Sequence, residues 1–101
     1  MEFRGTPGPW VRESAGRGIG PVSEDDDQSY GMVIPVAYVD FGESDEVQNA
    51  NARLIAAAPE LLTALQLAEK AMAEGRNVTY PDWYGVMNKA RVAISKALGE
   101  A

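Results

Sequence analysis

The sequence contains no cysteine and no histidine. Without cysteine there is no disulfide and no thiolate ligand for a metal, and without histidine the commonest proton carrier near neutral pH is missing. Cysteine nucleophiles, Ser-His-Asp arrangements and the usual zinc sites are therefore excluded. Asp and Glu alone could hold Mg²⁺, but no paired spacing on one element indicates such a site. We expect a protein without enzymatic activity, metal or cofactor.

Positive charge is also scarce, with 9 Lys plus Arg against 15 Asp plus Glu and a formal net charge of −6. That sign opposes attraction to nucleic acid backbones and to anionic membranes, so neither DNA nor a membrane is an expected partner. The first five residues lack the apolar run of a signal peptide, and no stretch approaches the roughly 18 apolar residues of a membrane span. We expect a cytoplasmic protein.

The chain has 101 residues, of which 46% are hydrophobic, enough for one core. A domain of this size buries only about 60 to 70% of the surface that its unfolded chain exposes. We therefore expect a single domain over 1–101, with a β-rich part over 1–42 and a helical part over 45–99. Association into a dimer or a larger homo-oligomer is the expected source of further burial.

Short strands are expected in the first part, because glycine and proline exclude useful helices over 1–29. Residues 10–13 alternate as a first strand would, and residues 19–22 predict a weaker second one. Residues 30–41, dense in β-branched and aromatic side chains, are expected at the centre of a small antiparallel sheet. Pro35 cannot donate to a ladder, which predicts an edge position, a bulge or a break.

Two loops carry possible ligand chemistry. Glu24-Asp25-Asp26-Asp27 is interpreted as a solvated hairpin tip rather than a cation site, since it lacks the spacing of a calcium loop. Gly16-Arg17-Gly18-Ile19-Gly20 is no nucleotide signature, because no strand-to-helix crossover follows it and no Lys-Ser or Lys-Thr lies beside it. It could still close over a ligand with Arg17 at its tip.

Helical periodicity begins after Gly42. Ser44 or Asp45 is predicted to cap a short helix over about 46–57, and Pro59 either kinks it or opens a new, longer helix. Gly75 is well placed to end that second helix. Its apolar stripe consists of Leu61, Leu65, Ala68 and Met72.

A final helix is predicted to begin at Thr79, which with Asp82 resembles a capping box, and to end near Gly99. Its apolar face consists of Trp83, Val86, Met87, Ala90, Ile94 and Leu98. The fold class is therefore α+β, a small N-terminal antiparallel sheet followed by a C-terminal helical hairpin. The apolar faces of the hairpin must pack on each other, on the sheet or on a partner chain.

Two phrases resemble recurrent phrases of small accessory proteins of bacteriophages and prophages. One is Thr6-Pro7-Gly8-Pro9-Trp10, and the other is Asn49-Ala50-Asn51-Ala52-Arg53-Leu54-Ile55-Ala56-Ala57-Ala58-Pro59-Glu60-Leu61-Leu62. The resemblance implies a phage genome without naming an activity.

The architecture also resembles that of phage anti-Thoeris proteins, which have a small sheet followed by C-terminal helices. That family sequesters cyclic ADP-ribose isomers, and some members hold cyclic oligonucleotides, without cleaving them. The similarity covers architecture and the helix start with asparagine and arginine; ligand residues that do not align are not carried over.

Asn49, Asn51 and Arg53 are the main candidate ligand residues. At a helix start, free backbone amides and the positive end of the dipole favour an anion. Arginine adds a bidentate fork for phosphate, and asparagine can pair with ribose hydroxyls or an adenine edge. In the purely structural alternative, Asn51 caps or bonds a neighbouring loop and Arg53 pairs with Asp40 or Glu43.

Aromatic side chains could stack on a base, and the candidates are Trp10, Tyr38, Phe41, Trp83 and Tyr84. Trp83 and Tyr84 lie about 100° apart on a helix, so Tyr84 is the better candidate for a surface or pocket role. Arg91, seven residues after Tyr84, either completes an anion clamp or is a solvated surface arginine.

The resemblance implies a phage anti-defence protein that sequesters a cyclic nucleotide-type signal in the cytoplasm of the infected bacterium. One alternative is an acidic protein-binding inhibitor, similar to anti-CRISPR proteins, that uses either Asp25, Asp26 and Asp27 or the acidic face of the last helices. Another is a structural or interaction protein whose hairpin mediates only self-association.

Overall fold

The computed structural model describes residues 2–13, 16–24, 31–40 and 44–100. It confirms the α+β class. In these described ranges a three-stranded sheet precedes three α-helices, and a 3₁₀ turn at Gly75–Asn77 joins the last two helices. The elements are β1 (Val11–Arg12), β2 (Gly18–Gly20), β3 (Ala37–Tyr38), α1 (Asp45–Ala56), α2 (Ala58–Glu74) and α3 (Tyr80–Leu98).

The sheet is antiparallel with the order β1-β2-β3, so β2 is the central strand. The prediction that residues 30–41 form the centre was wrong, because among the described residues of that segment, 31–40, only Ala37–Tyr38 form a strand, and that strand lies at the edge. All three residues of β2 are buried, whereas Tyr38 is 66% exposed. Strand propensity reflects how well side chains pack on a pleated surface, and does not say which strand is central. Here the glycines of β2 let the neighbouring segments approach its backbone more closely than β-branched side chains would.

A bulge interrupts the pairing at Pro35, as the sequence predicts. Ile19 pairs with Ala37 and Val22 pairs with Val33, so the second segment carries one extra residue between the two pairs. The amides on either side of Pro35 remain bonded, since Ile34 donates to the Pro21 carbonyl and Val36 to the Ile19 carbonyl, both at 2.8 Å. The bulge thus accommodates a residue without an amide hydrogen.

Local capping defines α1 and α2. Ser44 Oγ accepts the amide of Val47 at 3.4 Å and begins α1. Pro59 lies in the first turn of α2 and starts a new helix, where its missing amide hydrogen costs nothing. Gly75 ends α2 with a φ of 59°, a region in which glycine meets no steric penalty, and so confirms the predicted cap.

Capping also defines α3. Thr79 Oγ1 accepts the amide of Asp82 at 3.4 Å, and Gly99 ends the helix in the left-handed region with a φ of 74°. Both ends agree with the sequence prediction. Across the described parts of the chain, no helix combines the length and the apolar character that a membrane crossing needs.

The core is small and lies between the sheet and α1. Ile19, Val39, Ala52 and Ala56 form a buried cluster, with Trp10 packed against it. The hairpin of α2 and α3 packs instead through small residues, since its fully buried positions are Ala64, Ala71 and Ala93. The larger residues of the predicted apolar faces are mostly left at the surface.

Gly20→Ala should destabilise the protein. A Cβ at position 20 would lie 1.9 Å from the Ile34 carbonyl oxygen, so the bulge would have to move. We expect a loss of about 1 to 3 kcal/mol in the free energy of unfolding, measured by urea titration with circular dichroism. Gly85→Ala is the matched control, because its Cβ meets nothing within 4 Å and alanine favours a helix interior by about 0.5 to 1 kcal/mol. Equal urea midpoints for the two variants would contradict the role of Gly20.

Candidate anion-binding site

An open cleft lies between β1, α1 and the last turns of α3. Its volume is about 460 Å³, within the range of roughly 300 to 1,000 Å³ that small-molecule sites occupy. The lining residues are Trp10, Val11, Arg12, Asn49, Ala52, Arg53, Ala56 and Lys96. We call this cavity the basic cleft.

One face of α1 contributes the asparagine and one arginine of the basic cleft. Its lining positions are separated by three and four residues, which is the spacing of a single helical face. The alanines at 52 and 56 are buried, while Asn49 and Arg53 are exposed at the surface. Asn51 is rotated about 200° from each of them and does not line the cleft. The structure therefore brings Asn49 and Arg53 together and leaves Asn51 elsewhere.

The expected location of these residues at a helix start is wrong. Because Ser44 caps α1 and Asp45 and Glu46 fill its first turn, Asn49 lies in the second turn and Arg53 in the last. Free amides occur only at the first four positions of a helix, so they do not serve an anion at Asn49 or Arg53. Any attraction for an anion at this cleft must come from side chains.

Lys96 forms hydrogen bonds to two other parts of the chain beside the cleft. Its ammonium group donates to Glu60 Oε1 at 2.7 Å and to the Trp10 carbonyl at 3.3 Å. Both side chains of this ion pair are about one-third exposed. Lys96 thus joins α3 to α2 and to the segment before β1, and Glu60 places a negative charge beside its ammonium group.

The two arginines have no such compensation. The Arg12 guanidinium donates to Asn49 Oδ1, a neutral acceptor. Arg53 lies over Gly99, where an added Cβ would come within 2.6 Å of its Cδ and Nε atoms. Within the described residues, neither arginine forms a salt bridge.

The sequence also allowed Arg53 to form an ion pair with Asp40 or Glu43 instead of binding a ligand. No ion pair between Arg53 and Asp40 is present in the described chain, and Glu43 lies outside the described residues. The C-terminal end of α3, next to Gly99, carries a partial negative charge that favours a cation such as Arg53.

Trp10 forms one wall of the cleft. Its indole packs against the core cluster, and its Nε1 is buried without a hydrogen-bond partner in the described structure. Two residues earlier, Gly8 contacts Pro59 so closely that an added Cβ would lie 2.6 Å from the proline Cβ. The two phrases quoted for the phage resemblance therefore meet in space, and the cleft lies where they join.

The remaining predicted ligand residues lie elsewhere. Tyr84 precedes Lys96 by twelve residues, about 18 Å along the α3 axis, and its ring contacts that of Tyr80 with centroids 6.4 Å apart. Arg91 is exposed and does not line the cleft. Arg17 is half-buried beside β2 and donates to the Val39 carbonyl at 3.5 Å. Tyr84 is 50% exposed, in agreement with its predicted surface position.

Two functional candidates, Arg12 and Lys96, were missed by sequence reasoning. Arg12 meets Asn49 across a separation of 37 residues, and Lys96 meets Trp10 across 86. The one local signal was the spacing of four residues between Asn49 and Arg53, which places both on one face of a helix.

The fold and this site define a small α+β protein with a basic cleft at the junction of its sheet and its helices. A family model described as Salmonella phage P22 protein Y8K6 matches residues 1–101, and the chain belongs to that family. No curated protein and no solved structure matches the chain. The family confirms the phage origin expected from the two phrases, so this is a phage-encoded accessory protein.

Lys96→Met should destabilise the protein by about 1 to 2 kcal/mol, because Glu60 and the Trp10 carbonyl lose their shared donor. Glu60→Gln in the same background should recover part of that loss, which a double-mutant cycle of urea unfolding measures. Lys89→Met on the same helix is the control, since no ion pair of Lys89 is present among the described residues. If Lys89→Met lowered the free energy of unfolding as much as Lys96→Met, the effect at Lys96 would come from the loss of a positive charge and not from its specific hydrogen bonds.

Proposed function

We propose that this phage accessory protein binds and sequesters a nucleotide-type immune signal in the basic cleft without cleaving it. The observation that carries the proposal is the pair Arg12 and Arg53, which line one cleft without a carboxylate partner in the described structure. The chemical class of the ligand is a phosphate-bearing small molecule, and a cyclic ADP-ribose isomer or a cyclic oligonucleotide is its concrete form.

Charge balance supports this assignment. In a protein of net charge −6, carboxylates are abundant enough to pair with most arginines. Arg12 and Arg53 come instead from separate elements to one cavity, where their like charges repel. A bound anion would relieve that repulsion, and each guanidinium offers phosphate two parallel hydrogen bonds.

The other lining residues suit recognition of a nucleotide. Asn49 accepts from Arg12 through Oδ1, which leaves its amide NH₂ group to donate to a ligand. Trp10 supplies an aromatic surface, and aromatic surfaces stack with bases of any sequence. Among the described residues that line the cleft, none carries a carboxylate or a hydroxyl group, which supports binding without cleavage.

A signal of this kind is made inside the infected bacterium, so the proposed place of action is the host cytoplasm. The acidic protein-binding inhibitor remains a distinct hypothesis. It needs either Asp25, Asp26 and Asp27, which lie outside the described residues, or the acidic face of the last helices.

Native mass spectrometry and isothermal titration calorimetry with cyclic ADP-ribose isomers and cyclic oligonucleotides test the proposal. A bound ligand should be recovered intact on denaturation. Arg53→Ala and Arg12→Ala should each weaken binding about 10-fold to 100-fold, the effect of losing a charge-assisted hydrogen bond. Arg53→Lys should fall between, because it keeps the charge and loses the fork.

Arg91→Ala is the matched control, an exposed arginine outside the cleft, and it should bind like the wild type. Circular dichroism of every variant separates loss of binding from loss of fold. Absence of any ligand mass across the panel would reject sequestration of these signals. Suppression of defence that survives Arg53→Ala but fails on charge reversal at Asp25, Asp26 and Asp27 would favour the protein-binding inhibitor.

A further inference from the structure

The two sides of the α2–α3 hairpin differ in what covers them. On one side, Thr63 of α2 and Gly85 and Val92 of α3 line a common cavity of about 670 Å³ together with Gly8 and Pro9. Gly8 and Pro9 therefore lie on this side.

The opposite side follows from helix geometry. A residue two positions away on an α-helix is rotated by about 200°. Leu65 is two positions from Thr63, Met87 two from Gly85 and Ile94 two from Val92. These three large apolar residues therefore lie together on the side of the hairpin away from Gly8 and Pro9. Leu65 also borders a cavity on the outer side of α2 that Glu2 and Phe3 line.

This open face is apolar and exposed. Leu65 and Met72 on α2 are each 64% exposed, and on α3 Met87 is 40%, Ile94 50% and Leu98 59% exposed. The hairpin contact explains the exposure, because helices that meet through Ala64, Ala71 and Ala93 approach closely and leave longer side chains outside. We call the surface formed by Leu65, Met72, Trp83, Met87, Ile94 and Leu98 the open hairpin face.

We propose that a second copy of this chain packs on the open hairpin face and forms a two-fold symmetric dimer. Two helices of 17 and 19 residues, side by side, present a projected face of roughly 500 Å² at 1.5 Å per residue and 8 to 10 Å between axes. That area is as large as the largest apolar patch on a typical monomer, and it falls short of the roughly 800 Å² of accessible surface that each partner contributes to a stable interface. The polar rims of the face must therefore contribute to the dimer as well.

The edges of the open hairpin face carry opposite charges, so the face is complementary to the same face of a second copy. Glu69 borders it on α2 and Arg91 borders it on α3, and both are exposed. Neither forms a salt bridge in the described chain. In a two-fold arrangement, α2 of one protomer lies against α3 of its partner. Glu69 of each protomer then lies near Arg91 of the other, so the dimer contains this pairing of opposite charges twice. A hollow of about 310 Å³ beside Trp83, Tyr84 and Met87 offers room for a side chain of the second copy.

Sedimentation velocity over a range of protein concentrations tests the dimer. The wild type should sediment with twice the mass of the chain. Ile94→Glu and Met72→Glu each place a charge in the apolar interface and should weaken association at least about 100-fold, to a monomer at micromolar concentration.

Val92→Glu is the matched control, because Val92 is 68% exposed on the same helix and faces the other side. It should remain a dimer. Circular dichroism distinguishes dissociation from unfolding, and the high exposure of all three positions makes folded variants the expected result.

The absence of cysteine allows an independent measurement. When a Met72→Cys protein is mixed with a Met87→Cys protein, mild oxidation should join the two by an intermolecular disulfide, because α2 of one protomer faces α3 of its partner. A Val92→Cys protein in place of the Met87→Cys protein should not be joined. A wild type that stays monomeric to 100 micromolar, on the order of the affinity of weak contacts, would overturn the proposal. Dissociation by Val92→Glu but not by Ile94→Glu would overturn it equally.

Discussion

The contact on which the structure depends is the packing of Trp10 against the alanine face of α1. It joins the strand segment to the buried cluster that contains Ala52 and Ala56. The backbone carbonyl of the same residue accepts a hydrogen bond from Lys96, so three parts of the chain meet at Trp10. Because Arg12 follows Trp10 by two residues, this packing also brings its guanidinium to Asn49. The packing of Trp10 therefore determines both the buried core and the position of the residues that line the basic cleft.

Small residues dominate this molecule where elements meet. Among the residues that the structure describes, Ile19 is the largest fully buried side chain, and the other buried apolar residues are alanines and one valine. Since hydrophobic stabilisation scales with the apolar area removed from water, a core of this kind contributes little per residue. The larger apolar residues lie at the surface instead. A chain of 101 residues ordinarily needs such residues in its own core.

The helix ends were predictable because their causes are local. Ser44, Thr79 and the glycines at 75 and 99 each act within a few residues of the helix that they begin or end, and the bulge at Pro35 follows from one missing amide hydrogen. The central strand and the cleft were not predictable in this way. Gly18–Gly20 becomes central through contacts on both edges, and the cleft requires Arg12 and Lys96 to meet α1 across long separations. Local patterns carry no information on such distances.

The packing of α2 on α3 also bears on the basic cleft, although α2 does not line it, because an ion pair joins the two helices at Lys96. Glu60 of α2 and Lys96 of α3 bridge the hairpin one turn beyond Ala64 and Ala93, so the spacing of the two helices fixes where the ammonium group lies. Larger side chains at those alanines would separate the axes by an ångström or more, on the order of the difference between close and ordinary helix packing. The methyl groups of Ala64 and Ala93 thus act as a spacer, and the tolerance of the cleft to sequence change is decided at positions that never touch its contents.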